Sequence, residues 1–561
     1  MTEPRPTLRA PLVVLAAIVA LACGLAASTW HVFGHTWDEP EHMAAGLQLL
    51  DRGQYDYDIQ HPPLARLMLA LGPYLAGARS QGTPPPDGKP EGIAVLYGSG
   101  HYDLYLTLAR AGALPFLALL VVMTYVLGRR VLPASGALLA AAFVAMTPAV
   151  IGHGALAALD VPAAATCLLA LHGFGRWLRV GRFIDALWLG LVVGLAVGTK
   201  LSGIPFVALG ALALAFTARL EGPAPAAPPP FPRAPALLAA ALVAAAVLTL
   251  AYGGSFIYLT DAAHHYNPAL GYLFGYQPGT LHDLAYELAA KVRVPKAFQW
   301  LLGGIQALTV HNALGHPSYL LGVTRSSGWW YFYIVAFAVK TPLPLLVFGI
   351  SGLGLLAADG LRNGRPAALA VPLLFVVLLV FCSAYSRINI GVRHVLVLYP
   401  LLAIGAALSV TRVLEWGRGA GSPRRALAAA VLALGLGGLT LTVVRTWPDY
   451  LAYFNPLVTD PERVLVDSDL DWGQDFRRLS ERLAALRVPA VALAYSGSVD
   501  YARERLPPYT ILKPFGRATG WIAVSALARV QAPAGFAWLD AYPPRERIGR
   551  TIDLYYVPAV P

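Results

Sequence analysis

Several things are scarce in this chain. Cysteine is one: Cys23, Cys167 and Cys382 are the only three, all lie in apolar segments, and none forms a CxxC pair. That argues against a disulfide framework and against a cysteine zinc site. Charge is another. Asp, Glu, Lys and Arg make up 13% of 561 residues, about half the share of a soluble domain. Acid is scarcer than base, 31 residues against 42, for a net charge of +11. The basic residues gather between apolar segments, as membrane topology requires. No basic stripe interleaved with aromatics lies on a soluble segment, so no nucleic-acid partner is expected. Internal repeats are missing too. The first apolar segment lacks an A-x-A-like cleavage site, so it is expected to stay as a helix and not to leave as a signal peptide.

What the chain has is apolar length. Hydrophobic residues make up 57%, and runs of roughly 20 recur, each enough to cross a hydrocarbon core of about 30 Å. The expected fold is a polytopic α-helical membrane protein of about eleven spans with a small C-terminal extracytoplasmic α/β domain. Arg5 and Arg9 precede the first span (about 11–33) and put the N-terminus in the cytoplasm. An outer loop, 34–100, follows. Spans two to six run at about 103–127, 134–151, 161–178, 184–198 and 203–219, with Arg129, Arg130, Arg176, Arg179 and Arg182 in the inner turns. Glu221 to Arg233, EGPAPAAPPPFPR, reads as a proline-rich cytoplasmic linker. Span seven (about 236–258) opens a second outer loop, 259–328, whose His264, His265, Tyr266 and Trp300 suggest amphipathic surface helices. Span eight enters at an aromatic belt of Trp329, Trp330 and Tyr331. Spans nine to eleven (about 367–384, 395–413 and 426–445) complete a membrane domain of residues 1–445. From 446 to 561 the composition turns soluble. RVLVDSD reads as strand and turn, FRRLSERLAALR as a helix with Leu479, Leu483 and Leu486 on one face, and VPAVALAYSG as another strand. This orientation gathers Asp38, Asp160, Lys200, loop 259–328, Arg387 to His394 and the terminal domain on one outer side.

The motifs lie on that side. HTWDEPEHMAAG stands at the mouth of the first span with Asp38 and Glu39 at its centre. Acidic side chains at that depth are costly to hold and mark function. QHPPLARL follows with His61, Pro62 and Pro63, and Asp160 opens DVP after the third span. Each also has a purely structural reading. Asp38 and Glu39 can start an outer helix, and Asp160 can cap one ahead of Pro162. Pro62 biases His61 away from helix. His42, four residues after Asp38, can be a hydrogen-bond partner on the same helix face. Lys200, Lys340, Arg387, Arg393 and His394 are candidates to bind a phosphate-bearing substrate, with snorkelling toward headgroups as the alternative. Lys340, inside an apolar run, is expensive unless the membrane helix begins at Pro342. DSDLDWGQD, Asp467 to Asp475, is not an EF-hand, because Gly473 falls seventh and Arg478 twelfth where Gly and Glu belong at positions six and twelve. It reads either as turn and cap chemistry or as acceptor or sugar contacts at a strand's carboxyl end.

A retained first helix, then DEPEH, HPPL and a further Asp in GHGALAALDVP on this plan resembles the GT-C glycosyltransferases that use lipid-phosphate sugars. Specifically, it resembles the protein O-mannosyltransferase-like branch, glycosyltransferase family 39. VKTPLPLL, GVRHVLVLYPLL, YLAYFNPL and DSDLDWGQDFRRL look like segments of its bacterial, phospholipid-carrier-dependent members, so the resemblance spans most of the chain. It implies an inverting transferase that moves a sugar, mannose or a related hexose, from a polyprenyl-phosphate donor in the membrane lipid to an extracytoplasmic protein, glycan or lipid acceptor. By it Asp38 matches the family's catalytic aspartate, Glu39 its neighbour, Asp160 the second acidic position, and His61 the HPP segment. Eukaryotic O-mannosyltransferases carry a β-trefoil module in the large central loop; this chain has none there.

Such a transfer needs a base for the acceptor hydroxyl, a cationic place for the departing phosphate, and a groove for the lipid beside a wet cavity. Asp38 supplies the first. Direct displacement needs no second, nucleophilic carboxylate, so inversion is expected. Asp38 and Asp160 also offer the oxygen ligands that Mg²⁺ or Mn²⁺ takes, although their spacing does not demand a cation. Two other classes compete. A transporter or flippase of lipid-linked sugars predicts mid-bilayer ionisable residues and inverted repeats. A non-catalytic envelope assembly protein leaves the Asp38 cluster unexplained.

Overall fold

The computed structural model describes residues 9–84, 88–221, 232–258, 279–418 and 421–559. Arg5, most of the proline-rich linker, and His264, His265 and Tyr266 lie outside the described residues.

Every segment expected to span contains a helix, although the first ends at Ala27 and the seventh at Ala251, where the expected span runs on into strand Phe256–Tyr258. Eight helices, among them Ala10–Ala27, Tyr102–Gly128 and Leu398–Arg418, are long and apolar enough to cross a membrane, and a pair bent by 62°, Ala134–Ala145 with Pro148–Gly154, makes a ninth. The bend falls where Pro148 starts a new helix after Thr147, since proline cannot continue the old hydrogen-bond ladder. The other two expected spans are helices that fall short of that mark. Phe183–Thr199 has 17 residues, and Asp160–Val180 carries Asp160, Arg176 and Arg179. Span eight differs from expectation. A short helix, Phe332–Lys340, ends at Thr341 with extended backbone, and the long helix begins only at Leu343, just after Pro342.

Glycines set the closest helix approaches. A Cβ at Gly46 would lie 2.2 Å from the Arg66 carbonyl, so outer helices Glu39–Arg52 and Pro63–Leu75 touch backbone to backbone. A Cβ at Gly352 would lie 1.8 Å from the Gly405 carbonyl, so Leu343–Arg362 and Leu398–Arg418 are equally close. Larger side chains at either place would force the helices apart.

After Thr446 the chain does not leave the membrane helices at once. Asn455 donates from its backbone to Val339 O at 2.9 Å and from Nδ2 to Ala338 O and Thr341 O at 2.7 and 3.0 Å. Lys340 Nζ donates to Leu451 O and Asp469 O at 2.7 and 2.5 Å. Residues 447–475 are thereby laced onto the break at Thr341–Pro342. The α/β fold starts beyond them. Its five-stranded sheet runs, in spatial order, Tyr509–Ile511, Val491–Ala494, Gly520–Ser525, Ile552–Val557, Glu546–Ile548; the first three are parallel and the other pairings antiparallel. Helix Phe476–Ala485 covers one face with Phe476, Leu479 and Leu483. Leu486, expected on that face, lies past the helix end and is 37% exposed.

Candidate active site

Asp38 holds the N-cap position of helix Glu39–Arg52 but makes no side-chain capping bond. Asp160 is the first residue of its helix, and it too has other partners. Both carboxylates turn to one guanidinium. Arg393 Nη1 donates to Asp38 Oδ2 at 2.9 Å and stands 3.7 Å from Asp160 Oδ2. Lys200 Nζ donates to Asp160 Oδ1 at 2.5 Å. Asp38, Arg393, Asp160 and Lys200 thus form a chain of alternating charge. Asp160 is buried, whereas 23% of the Asp38 side chain stays exposed. Asp38 is the carboxylate that a second substrate can reach.

Arg393 sits in a tight 3-10 turn, Val392–Val395, pinned where Val392 N–H donates to Asp469 Oδ1 at 3.0 Å. The Trp472 ring lies under its guanidinium at 4.2 Å, a contact worth about 0.5–2 kcal/mol. Its buried Nε–H has no acceptor among the described residues. A buried donor left unmade costs about 1–3 kcal/mol, so an incoming oxygen gains at that atom.

These residues face a cavity of about 1060 Å³, larger than the roughly 300–1,000 Å³ usual for one small ligand. Part of its lining is apolar: Ala163, Ala164, Ile204, Phe206 and Phe381 come from membrane helices. Another part, with Trp37, Asp38, Glu41, His42, Asp58 and His61, comes from the first outer loop. There the fully buried Arg66 donates to Tyr55 Oη at 2.9 Å, to Asp58 O at 2.8 Å and to His42 Nδ1 at 3.3 Å, and pairs with the Asp58 carboxylate. Burial pushes the Asp58 carboxyl up, but the Arg66 guanidinium outweighs it and holds the group below the usual carboxylate range. Burial keeps His42 neutral, well below its ordinary pKa. Burial and the nearby Asp58 charge push Glu41 up to about 7. Burial likewise carries Asp467 to about 6 against the pull of Arg393.

Of the residues singled out from the sequence, Asp38, His42, His61, Asp160, Lys200, Arg393 and His394 all line this one cavity. Three do not. Glu39 is 1% exposed and ion-paired with Arg110 at 2.8 Å, and it also accepts from the Thr36 and Ala157 backbone at 2.8 Å. Its geometry is that of a rivet between the outer loop and two membrane segments. Lys340 is buried against the two carbonyls that hold residues 447–475. Arg387 is exposed, its guanidinium 3.4 Å from Ala313 O, and is absent from the cavity wall. As for a divalent cation, the Arg393 guanidinium touches both Asp38 and Asp160. Among the described residues no group of three or more His, Cys, Asp or Glu side chains is placed to hold a metal. The carboxylates fit a guanidinium clamp.

Several wall residues were not singled out from the sequence. Asp58 lies in the first outer loop without a motif of its own, and Trp37 and Glu41 flank Asp38 and Glu39 within HTWDEPEHMAAG. Asp467 and Trp472 come from the acidic run Asp467 to Asp475, which the sequence leaves open to turn and cap chemistry or to acceptor or sugar contacts; RVLVDSD, expected as a strand, forms a 3-10 turn at Asp467–Asp469 instead. Only the return of 447–475 to the membrane helices brings them beside Arg393.

Residues 52–220 match the family model described as dolichyl-phosphate-mannose-protein mannosyltransferase. The segment holds His61, Asp160 and Lys200, and it bears out the resemblance to the GT-C glycosyltransferases drawn from the motifs. No curated protein sequence matches. Among solved structures, the oligosaccharyltransferase AglB from Archaeoglobus fulgidus, in complex with an inhibitory peptide and a dolichol-phosphate, superposes with a TM-score of 0.47 at 15% identity, over 78% of this chain and 55% of that one. ArnT from Cupriavidus metallidurans bound to undecaprenyl phosphate gives 0.47 at 14%, over 96% and 97%. The protein O-mannosyltransferase Pmt1–Pmt2 complex of S. cerevisiae gives 0.32 at 18%, over 45% and 33%. This chain therefore spans about half the length of the oligosaccharyltransferase.

Proposed function

We propose that this multi-pass membrane protein is an inverting glycosyltransferase that moves a hexose, mannose by its family likeness, from polyprenyl phosphate to a hydroxyl acceptor on the extracytoplasmic side. The observation that carries this reading is Arg393: buried, shared by Asp38 and Asp160, lining a cavity with both apolar and polar residues, and holding an N–H with no acceptor among the described residues. A lipid phosphate satisfies that donor, and the apolar wall suits the first isoprene units.

Both central cations already hold carboxylates, so an arriving phosphate must compete for Arg393 and Lys200. As Arg393 turns to the phosphate, Asp38 is released to take a proton. The acceptor oxygen then attacks the sugar's anomeric carbon while its proton passes to Asp38. The bond from that carbon to the phosphate oxygen breaks, and its electron pair leaves on the phosphate, where Arg393 and Lys200 stabilise it. A single displacement inverts the centre. The order is donor first, acceptor second.

Purified protein in nanodiscs, given labelled polyprenyl-phosphate hexose, tests this directly. Release of free polyprenyl phosphate with transfer of label is expected. Movement of intact donor across the bilayer would instead support a flippase. Orientation is tested by labelling: cysteine at Gly421, where a side chain meets nothing within 4 Å, should react only from the cytoplasm, and at exposed Ala502 only from outside. The reverse would place the site on the wrong side of the membrane.

A further inference from the structure

Part of the cavity's lining comes from elements that the donor reading does not use. Trp37, next to Asp38, is 40% exposed although it lines the cavity, with Lys89 Nζ 4.5 Å from its ring centre. Its backbone N–H donates to Trp472 O at 3.0 Å, and its carbonyl accepts from Ser498 Oγ at 3.5 Å. Trp37 is thereby stitched between the acidic run and the loop after strand Val491–Ala494. That loop and helix Ala526–Gln531 follow the carboxyl ends of two parallel strands, and they bring Ser496, Leu527 and Gln531 into the same wall. Ser496 Oγ donates to Gln531 Oε1 at 3.2 Å, and the Gln531 NH₂ has no partner among the described residues. The arrangement is braced from behind, where Leu527 N–H donates to Asp471 Oδ2 at 2.8 Å and Ser496 N–H to Ser525 Oγ at 3.1 Å.

We infer that Trp37, Ser496 and Gln531 form the acceptor subsite, and that the acceptor presents a hydroxylated sugar ring. This rests on the transferase reading and names its second substrate. An exposed indole offers a flat apolar face to the C–H side of a sugar ring. A neighbouring amide and hydroxyl read its equatorial oxygens, a pairing that amphipathic aromatics serve well. An extended peptide would be taken up differently, by main-chain pairing along a free strand edge. The free edge nearest the parallel strands, Tyr509–Ile511, contributes nothing to the cavity wall. With Asp38 the next residue after Trp37, a ring stacked there holds a hydroxyl beside the proton acceptor.

The test uses full-length protein in nanodiscs with three acceptor probes: a soluble β-linked hexose tetrasaccharide, the same tetrasaccharide on a lipid anchor, and a Ser/Thr peptide. Binding is read by saturation-transfer NMR without donor, and turnover with labelled polyprenyl-phosphate hexose. The tetrasaccharide should bind, and Trp37→Ala and Gln531→Ala should each raise its KM roughly tenfold, the weight of one aromatic or hydrogen-bond contact, with the donor's KM unmoved. Trp37→Phe should recover most of the loss, and it keeps the test valid if the alanine variant fails to fold. A response to the anchored form alone would assign the ring to a glycolipid, and to both forms a free glycan. Saccharide binding that survives both substitutions, or transfer to the peptide alone, would overturn the subsite. Binding lost in Trp37→Ala without any transfer would refute the transferase and leave the saccharide site standing.

Discussion

Arg393→Ala separates donor binding from acceptor binding, and its size follows from the geometry. The substitution removes a charge-assisted contact to phosphate, worth about 1.5–3 kcal/mol, or roughly a tenfold to hundredfold rise in the donor's KM. It also leaves carboxylates behind. Breaking a buried ion pair costs about 3–5 kcal/mol, but that figure must be discounted here. Asp160 keeps Lys200 at 2.5 Å, and Asp38 is 23% exposed and can be solvated. Loss of the Trp472 contact adds about 0.5–2 kcal/mol. The variant should therefore fold with a lowered thermal midpoint and bind donor weakly, with the acceptor's KM nearly unchanged. Arg393→Lys should rescue only in part, restoring charge without the fork that reaches two oxygens. Initial-rate kinetics in nanodiscs, varying each substrate in turn, measure both constants. If the alanine variant raises the acceptor's KM and leaves the donor's alone, the guanidinium belongs to the acceptor side and the donor-first order fails with it.

Other outcomes follow from the same distances. Asp38→Asn should keep its melting temperature within a few degrees while transfer falls roughly 10²–10⁴-fold; near-normal turnover would remove Asp38 as the base. Glu39→Gln should behave oppositely. It leaves Arg110 buried and unpaired, so the melting temperature should drop, while the folded fraction keeps its turnover per molecule; a selective loss of turnover at unchanged stability would return Glu39 to the chemistry. Glu41 is raised to about 7, so folding takes up a proton there between its unfolded value and that pH. Stability from this group is therefore highest in acid and declines as pH rises through that window. Glu41→Gln should melt higher than the parent at pH 8 and equally near pH 4, and a difference that is constant with pH would contradict the burial argument.

Much was legible from pattern alone, because a bilayer imposes constraints a sequence must show. Each span needs a run of apolar residues, so every expected span contains a helix among the described residues. The α/β character of the last segment was readable from the Leu479–Leu483 spacing and from VPAVALAYSG, which holds strand Val491–Ala494, whereas RVLVDSD, expected as a strand, turns as a 3-10 helix. The Asp38 and Asp160 motifs were found because acid at a membrane edge is rare enough to notice. What the sequence left open was the partner of each charge. Asp38 and Glu39 are adjacent and chemically alike, yet one turns into the cavity toward Arg393 and the other into the protein toward Arg110. Nothing local distinguishes them, since the choice depends on partners 355 and 71 residues away. Lys340 and Arg393 pose the same problem: one meets carbonyls and the other carboxylates. The break at Thr341–Pro342 lets residues 447–475 return to the helices, and that return sets Trp472 under Arg393. Long-range packing decides such pairings, because burying a charge is tolerable only where the fold happens to bring its opposite.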